Sequence, residues 1–245
     1  MVPLPKDLNE AVTQAQAAAQ AALDAGYLRI QVEINIPELK IQPIAEQFIQ
    51  PFTSLESQLR LLFPDAGAAA LARRDWNNPA FTVRGLNETK IKDEESLFIF
   101  IEPSSVEVEE VEKICDAASP RPIILLNPCL EDVVAVGIGY AARRLRDRFL
   151  STIEPCYYLQ PLDQAALFRC YPGSWELWQE QDGTYRKIQD FATKPSGEDV
   201  ELILYGDGAE MGPADQETGG GAAPGSGNRP GVLTRLQRFI KALSQ

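Results

Sequence analysis

Apolar positions recur along the chain with two different periods, and the period switches repeatedly. Leu8, Val12, Ala15, Ala19 and Leu23 return at helical spacing. Asp7 stands where an N-cap belongs, Glu10 follows three residues on as in a capping box, and Gly26 supplies a stop. This stripe is mostly alanine, so the helix can lie close against a sheet. Leu28, Ile30, Val32 and Ile34 then alternate with Arg29, Gln31 and Glu33. That pattern predicts a strand with one buried and one wet face, near a sheet edge or only partly covered.

Residues 43–55 read as a helix with a break at Pro51, and 59–63 as a short apolar run ended by Pro64-Asp65. An Ala-rich helix follows over 66–74, opened by that turn. Strands are expected at 81–83 and 97–101, the second apolar throughout and so covered on both faces. Residues 104–118 favour a helix, because Val108, Val111, Ile114 and Cys115 share a helical face. Another buried strand is predicted at 123–126, closed by Asn127-Pro128, and an Arg-rich helix at 140–149.

Beyond this point short strands replace the alternation, at 156–159, 165–171, 175–180 and 184–191. Pro161, Pro172-Gly173 and Asp182-Gly183 separate them, the last a two-residue hairpin turn. Trp175 and Trp178 are three apart and should face opposite sides of a strand. The expected class is α/β (α+β): a mixed central sheet with flanking helices, then an antiparallel meander. A single domain spans 1–191, with an extension of the sheet to 205 as an option.

Residues 206–231 hold 9 of the 17 glycines and read as a linker. Residues 206–228 carry four acids and no base, whereas 229–245 carry four bases and no acid. Over 232–244, Val232, Leu233, Leu236, Phe239, Ile240 and Leu243 form an apolar stripe, with Arg235, Arg238 and Lys241 between them. This is a short cationic amphipathic helix on a tether. Its stripe has three sinks: an anionic membrane surface, a partner's groove, or the parent domain. Membrane or partner docking is preferred, because a long Gly-rich linker suits an intramolecular contact poorly. A span of about 18 Å lets the helix lie on a bilayer but not cross one.

Composition narrows the chemistry. The 245 residues contain no histidine, which excludes imidazole bases, Ser-His-Asp systems and His-liganded zinc. The net charge of −12 argues against nucleic acid as a partner. No transit peptide, secretory signal or membrane span is visible, so a cytoplasmic location is expected. Cys115, Cys129, Cys156 and Cys170 are spaced by 14, 27 and 14, giving no Cys-x-x-Cys pair. They read as reduced thiols, with a Cys156–Cys170 redox pair as a minor option, and no metal or cofactor is expected. Gly137-Ile138-Gly139-Tyr140-Ala141-Ala142 fits G-x-G-x-x-A. With Asn127, Arg143 and Arg144 it forms a candidate phosphate or nucleotide site, although the strand-to-glycine context is poor. The simpler reading pairs these arginines with Glu131, Asp132, Asp147 and the acidic stretch 107–112.

Several segments occur together in order. They are the run from Phe63-Pro64-Asp65-Ala66-Gly67 to Arg73-Arg74-Asp75-Trp76, and Leu126-Asn127-Pro128-Cys129-Leu130-Glu131-Asp132. Gly137-Ile138-Gly139 with the Arg-rich helix, Phe149-Leu150-Ser151 and Glu154-Pro155-Cys156-Tyr157-Tyr158-Leu159 follow. Leu167-Phe168-Arg169-Cys170-Tyr171-Pro172 with Trp175 completes the set. Over residues 4–191 the chain resembles an uncharacterised domain family of cyanobacteria and plastids. That family includes plant plastid proteins named for low photosystem II accumulation and a domain appended to a plastid adenylate kinase. The resemblance brings no catalytic residues. It implies a non-enzymatic photosynthesis accessory factor that assists photosystem II assembly, with assembly proteins or the thylakoid surface as partners. The tail fits a peripheral place on that membrane.

Overall fold

The computed structural model describes residues 2–88, 90–130 and 140–206. The N-terminal stripe forms helix α1, Leu8–Asp24, whose first turn is capped by the Asp7 carboxylate accepting from the Glu10 N–H at 2.8 Å. Its alanines 11, 15, 18, 19 and 22 are all buried, so the helix backbone sits close to the sheet. Gly26 ends it with φ +92°, a conformation only glycine adopts without strain.

The alternating segment becomes β1, Arg29–Ile34. Then come α2 (Ile41–Phe48), β2 (Leu59–Phe63), α3 (Ala66–Asp75), β3 (Thr82–Gly85) and β4 (Leu97–Ile101). These are followed by α4 (Val108–Ala118), β5 (Ile123–Leu126) and α5 (Tyr140–Arg148). The meander is β6 (Glu154–Leu162), β7 (Ala165–Cys170), β8 (Trp175–Gln181) and β9 (Thr184–Phe191), and α6 (Gly197–Tyr205) follows it. All nine strands join one sheet in the order β3-β2-β4-β5-β1-β6-β7-β8-β9. Pairing is parallel from β3 through to β6 and antiparallel beyond it. The fold is therefore the expected α/β type with a mixed sheet and a terminal meander.

Four details differ from expectation. Of the two readings of β1 the edge fails and partial cover holds: the strand is fifth of nine, between β5 and β6, with alternate residues only half-buried. Its polar alternation has another cause, described below. The helix expected at 43–55 breaks at Pro51 as anticipated, where proline supplies no N–H for the next helical bond, but the part beyond the break is a 3-10 segment, Gln50–Gln58, and not α-helix. The helix at 104–118 opens with a 3-10 turn, where Ser104 and Glu107 close a capping box. Residues 197–205 extend no sheet. Ser196 and Asp199 cap a helix there, and the sheet stops at Phe191.

The two faces of the sheet are filled differently. On the α1 face a continuous apolar cluster runs from Val83 on β3 to Phe168 and Cys170 on β7, beneath α1, α2 and α3. Among the described residues the α4 face carries two separate clusters. Phe98, Phe100, Ile123 and Leu125 pack with Val111 and Ile114 of α4 and with Phe149. Tyr158, Leu167 and Trp175 form the second, on the meander. Trp178 turns to the opposite side and packs, half-buried, against the α1-face cluster, which bears out the opposed tryptophans.

One buried ion pair secures the crossover from β3 to β4. Arg60 and Glu95 meet at 3.2 Å with side chains 4% and 0% exposed. Arg60 also donates to the carbonyls of Lys90 and Glu88, and the Glu95 carboxylate accepts the Lys92 N–H at 2.9 Å. Removing one partner strands the other charge in a dry site. Glu95→Ala should lower unfolding free energy by about 3–5 kcal/mol, read from urea denaturation midpoints. Glu94→Ala, on an exposed surface pair, should shift it by less than about 1 kcal/mol.

Candidate functional site

In β1, Ile30, Val32 and Ile34 point into the α1-face core, so Gln31 and Glu33 point to the α4 face. No residue of β1 joins either apolar cluster on that side. The polar strip lies in the gap between them, and the gap is a cleft with a cavity of about 380 Å³. Gln31 and Glu33 line its floor. Pro128, Cys129 and Leu130, just beyond β5, form one wall, with Leu150 and Ile153 ahead of β6. Lys194 also lines it among the described residues.

The chain topology explains the position. β1 and β5 are adjacent and parallel, yet their connections diverge. From β1 the chain passes through α2 on the α1 face to β2, whereas from β5 it passes through α5 on the α4 face to β6. In open α/β sheets such a switch point opens a crevice at the carboxyl ends of the strands. The wet face of β1 is thus a property of the centre of this sheet, not of its margin.

Polar groups around the cleft are well tied. Gln31 Nε2 donates to Glu33 Oε1 at 2.9 Å, and Asn35 Nδ2 to Glu33 Oε2 at 3.2 Å. Arg29, at the start of β1, bonds Asp116 at 2.8 Å and lies 5.6 Å from the Phe149 ring centre. On the meander side Glu154 pairs with Arg169, whose guanidinium lies 5.4 Å from the centre of the Trp175 ring. The Lys194 ammonium sits 4.2 Å from the centre of the Tyr158 ring and 5.7 Å from that of Trp175. Burial raises the Tyr158 phenol pKa, the Lys194 charge opposes that shift and Glu33 adds to it. Tyr158 and Trp175 also contact each other, with ring centres 5.0 Å apart.

Of the residues singled out for a phosphate site, Asn127 has a different task. Its φ is +48°, and its side-chain amide copies a strand neighbour: Oδ1 accepts the Ile34 N–H at 2.8 Å and Nδ2 donates to the Ile34 carbonyl at 3.0 Å. Both polar atoms thereby join β5 to β1. Arg143 and Arg144 lie exposed on α5, while Gly137 and Gly139 fall outside the described residues. Arg148 holds Glu112 of α4 through two 2.7 Å bonds, the helix-to-helix pairing expected of the Arg-rich segment. Val232, Leu233, Arg235, Leu236, Arg238, Phe239, Ile240, Lys241 and Leu243 also lie outside the described residues.

The cleft residues Gln31, Glu33 and Lys194 were missed as a site. A usable signal existed: strict polar alternation stands out beside the wholly apolar runs at 97–101 and 123–126. Among the described residues no group of three or more Cys, Asp or Glu side chains could hold a metal ion. No helix among them is long and apolar enough to cross a membrane.

The four cysteines are free. Cys156 is the extra residue of a β-bulge: Gln31 pairs with Pro155 and Val32 with Tyr157, and the Cys156 Sγ donates to the Gln31 carbonyl at 3.3 Å. Burial pushes the thiols of Cys115 and Cys156 up to about 12 and that of Cys170 to about 11. Such thiols stay protonated and react poorly, which disfavours a Cys156–Cys170 redox role. Cys129 alone among the four is exposed. N-ethylmaleimide at pH 8 should add once to the folded protein and four times in denaturant, by intact mass. The unfolded thiols ionise near about 8.5, well before the buried ones. Their contribution to stability is therefore complete below about pH 8.5 and is lost as pH rises toward 11–12, so the urea midpoint should fall across that window.

No solved structure matches the chain. A family model, described as a domain of unknown function (DUF1995), matches residues 5–202, which span the sheet, its helices and most of α6. On that match the chain belongs to the DUF1995 family.

Proposed function

We propose that this protein is a non-enzymatic accessory factor of photosynthesis, which assists photosystem II assembly from the thylakoid surface. The resemblance of residues 4–191 to plastid and cyanobacterial accessory proteins supplies the process. One structural observation supports the non-catalytic part. At the carboxyl ends of the parallel strands, Asn127, Asp65, Ser104 and Glu107 each bond nearby backbone. Asn127 bridges to Ile34, Asp65 caps α3 through Gly67 and Ala68, and Ser104 and Glu107 cap each other's turn. The cleft over β1 then serves recognition, and residues 232–244 bring the body to an anionic surface through their apolar stripe and cations.

A second reading, phosphate or nucleotide binding by residues 137–144, is favoured by the exposed Arg143 and Arg144 on α5. The engagement of Asn127 counts against it. A ligand of the folded state must raise the melting temperature, so a flat response across a nucleotide panel removes this reading.

The main reading is tested with tagged full-length protein in a photosynthetic host. It should co-migrate with photosystem II assembly intermediates on native gels of thylakoids, and salt washing should release it from the membrane. Recovery only in the soluble fraction, free of photosystem subunits, contradicts the proposal.

A further inference from the structure

Helix α6 presents an unusual surface. Val200 is buried and Leu204 partly so, and these two share the inward side. The opposite side carries Glu198, Leu202 and Tyr205, flanked by Asp199, Glu201 and Ile203. Leu202 is 68% exposed, Tyr205 54% and Ile203 42%, which puts three large apolar side chains in water on one nine-residue helix. The three carboxylates beside them are exposed as well, and Asp199 is also bonded to Ser196 as part of the N-terminal cap. The helix is held in place at its far end, where the Tyr205 hydroxyl donates to the Asp163 carbonyl at 3.4 Å.

We propose that this acidic, apolar side of α6 is the resting dock for the chain's own cationic segment 232–244. Three observations select that occupant. The first is charge: α6 offers Glu198, Asp199 and Glu201, and residues 229–245 carry four bases and no acid. The second is pattern: Leu233, Leu236, Ile240 and Leu243 recur at helical spacing, as a helix packed along Leu202 and Tyr205 requires. The third is length. The segment is joined directly to the end of α6 through residues 206–231, a Gly-rich stretch whose root-mean-square reach is roughly 30 Å. Helix α6 is about 13 Å long, so the tether spans the return, and although it is longer than a permanent intramolecular contact needs, that slack suits a reversible one, at an effective concentration on the order of millimolar.

The inference deepens the membrane-docking reading and rests on it in one respect. The same stripe serves both sinks, so α6 and a bilayer compete for it. Membrane attachment then uncovers α6, and the protein displays Leu202, Ile203 and Tyr205 to a partner only when it is at the surface. The resting contact keeps those side chains covered away from it.

Hydrogen-exchange mass spectrometry on full-length variants tests the contact from both sides. Phe239→Gln/Ile240→Gln should speed exchange of amides 198–205, and Leu202→Gln/Ile203→Gln should speed exchange within 232–244, each by about fivefold or more. Exchange in β4 serves as the control for global folding and should not change. Unaltered exchange in 198–205 with the tail variant overturns the proposal. So does an effect that disappears on dilution, which would assign the dock to the tail of a second copy.

Co-sedimentation with vesicles of phosphatidylglycerol and phosphatidylcholine separates this inference from the membrane reading. Leu202→Gln/Ile203→Gln should bind more tightly than the unaltered chain, because its stripe is no longer held. Coupled exchange without any vesicle binding retains the dock and removes the membrane reading. Vesicle binding that the α6 variant leaves unchanged, with uncoupled exchange, retains the membrane and removes the dock.

Discussion

A strand at the centre of a nine-stranded sheet ordinarily has both faces claimed by the core. Among the described residues, strand β1 has only one. Ile30, Val32 and Ile34 are fully buried beneath the alanine side of α1, and that contact fixes the register of the strand, because a slip by one residue would drive Gln31 and Glu33 into the same core. The remaining architecture follows from this. β5 and β6 both pair with β1 in parallel, and the sheet turns antiparallel one strand further on, at β6–β7. The apolar layer on the α4 face is accordingly divided in two, and the cleft lies in the division.

Attachments around β1 hold that arrangement open. Asn127 joins β5 to it with a side-chain amide, the bulge at Cys156 adjusts β6 to it, and the side chain of its first residue, Arg29, pairs with Asp116 of α4. Burial makes the thiol of Cys156 a structural group. Gln31 and Asn35 both bond the Glu33 carboxylate on the cleft floor. Under the proposed function, recognition falls to the cleft and surface docking to residues 232–244, and α6 is the last described helix before them in the chain.

Much of the fold was legible in the sequence because local signals and tertiary packing agree. The Asp7 cap, the alanine stripe, the all-apolar run at 97–101 and the Asp182-Gly183 turn each specify their element with little help from elsewhere. Asp182 and Gly183 both have positive φ, at +52° and +78°, as the hairpin requires. What stayed hidden was long-range. Alternation in residues 28–34 reports that one side is wet, but an edge and a central cleft produce the same pattern. Only the strand order tells them apart, and that order depends on crossovers that local patterns do not encode. Asn127 was visible as a polar residue ending a strand. Its bonding to Ile34, some ninety positions earlier in the chain, was not. Residues 197–205 were obscured by their apolar run, which reads equally as strand or helix until the Ser196–Asp199 cap decides it.

The central claim is that alternate side chains of β1 face a dry core and an open cleft. Single cysteines placed at 30, 31, 32 and 33 in a Cys129→Ser background test it directly, through their rates of reaction with a small thiol reagent under native conditions. The account predicts rates at 31 and 33 near those of an exposed thiol, and protection at 30 and 32 that is lost only on unfolding. Protection at all four positions would mean that β1 is covered on both sides and that the cleft does not exist.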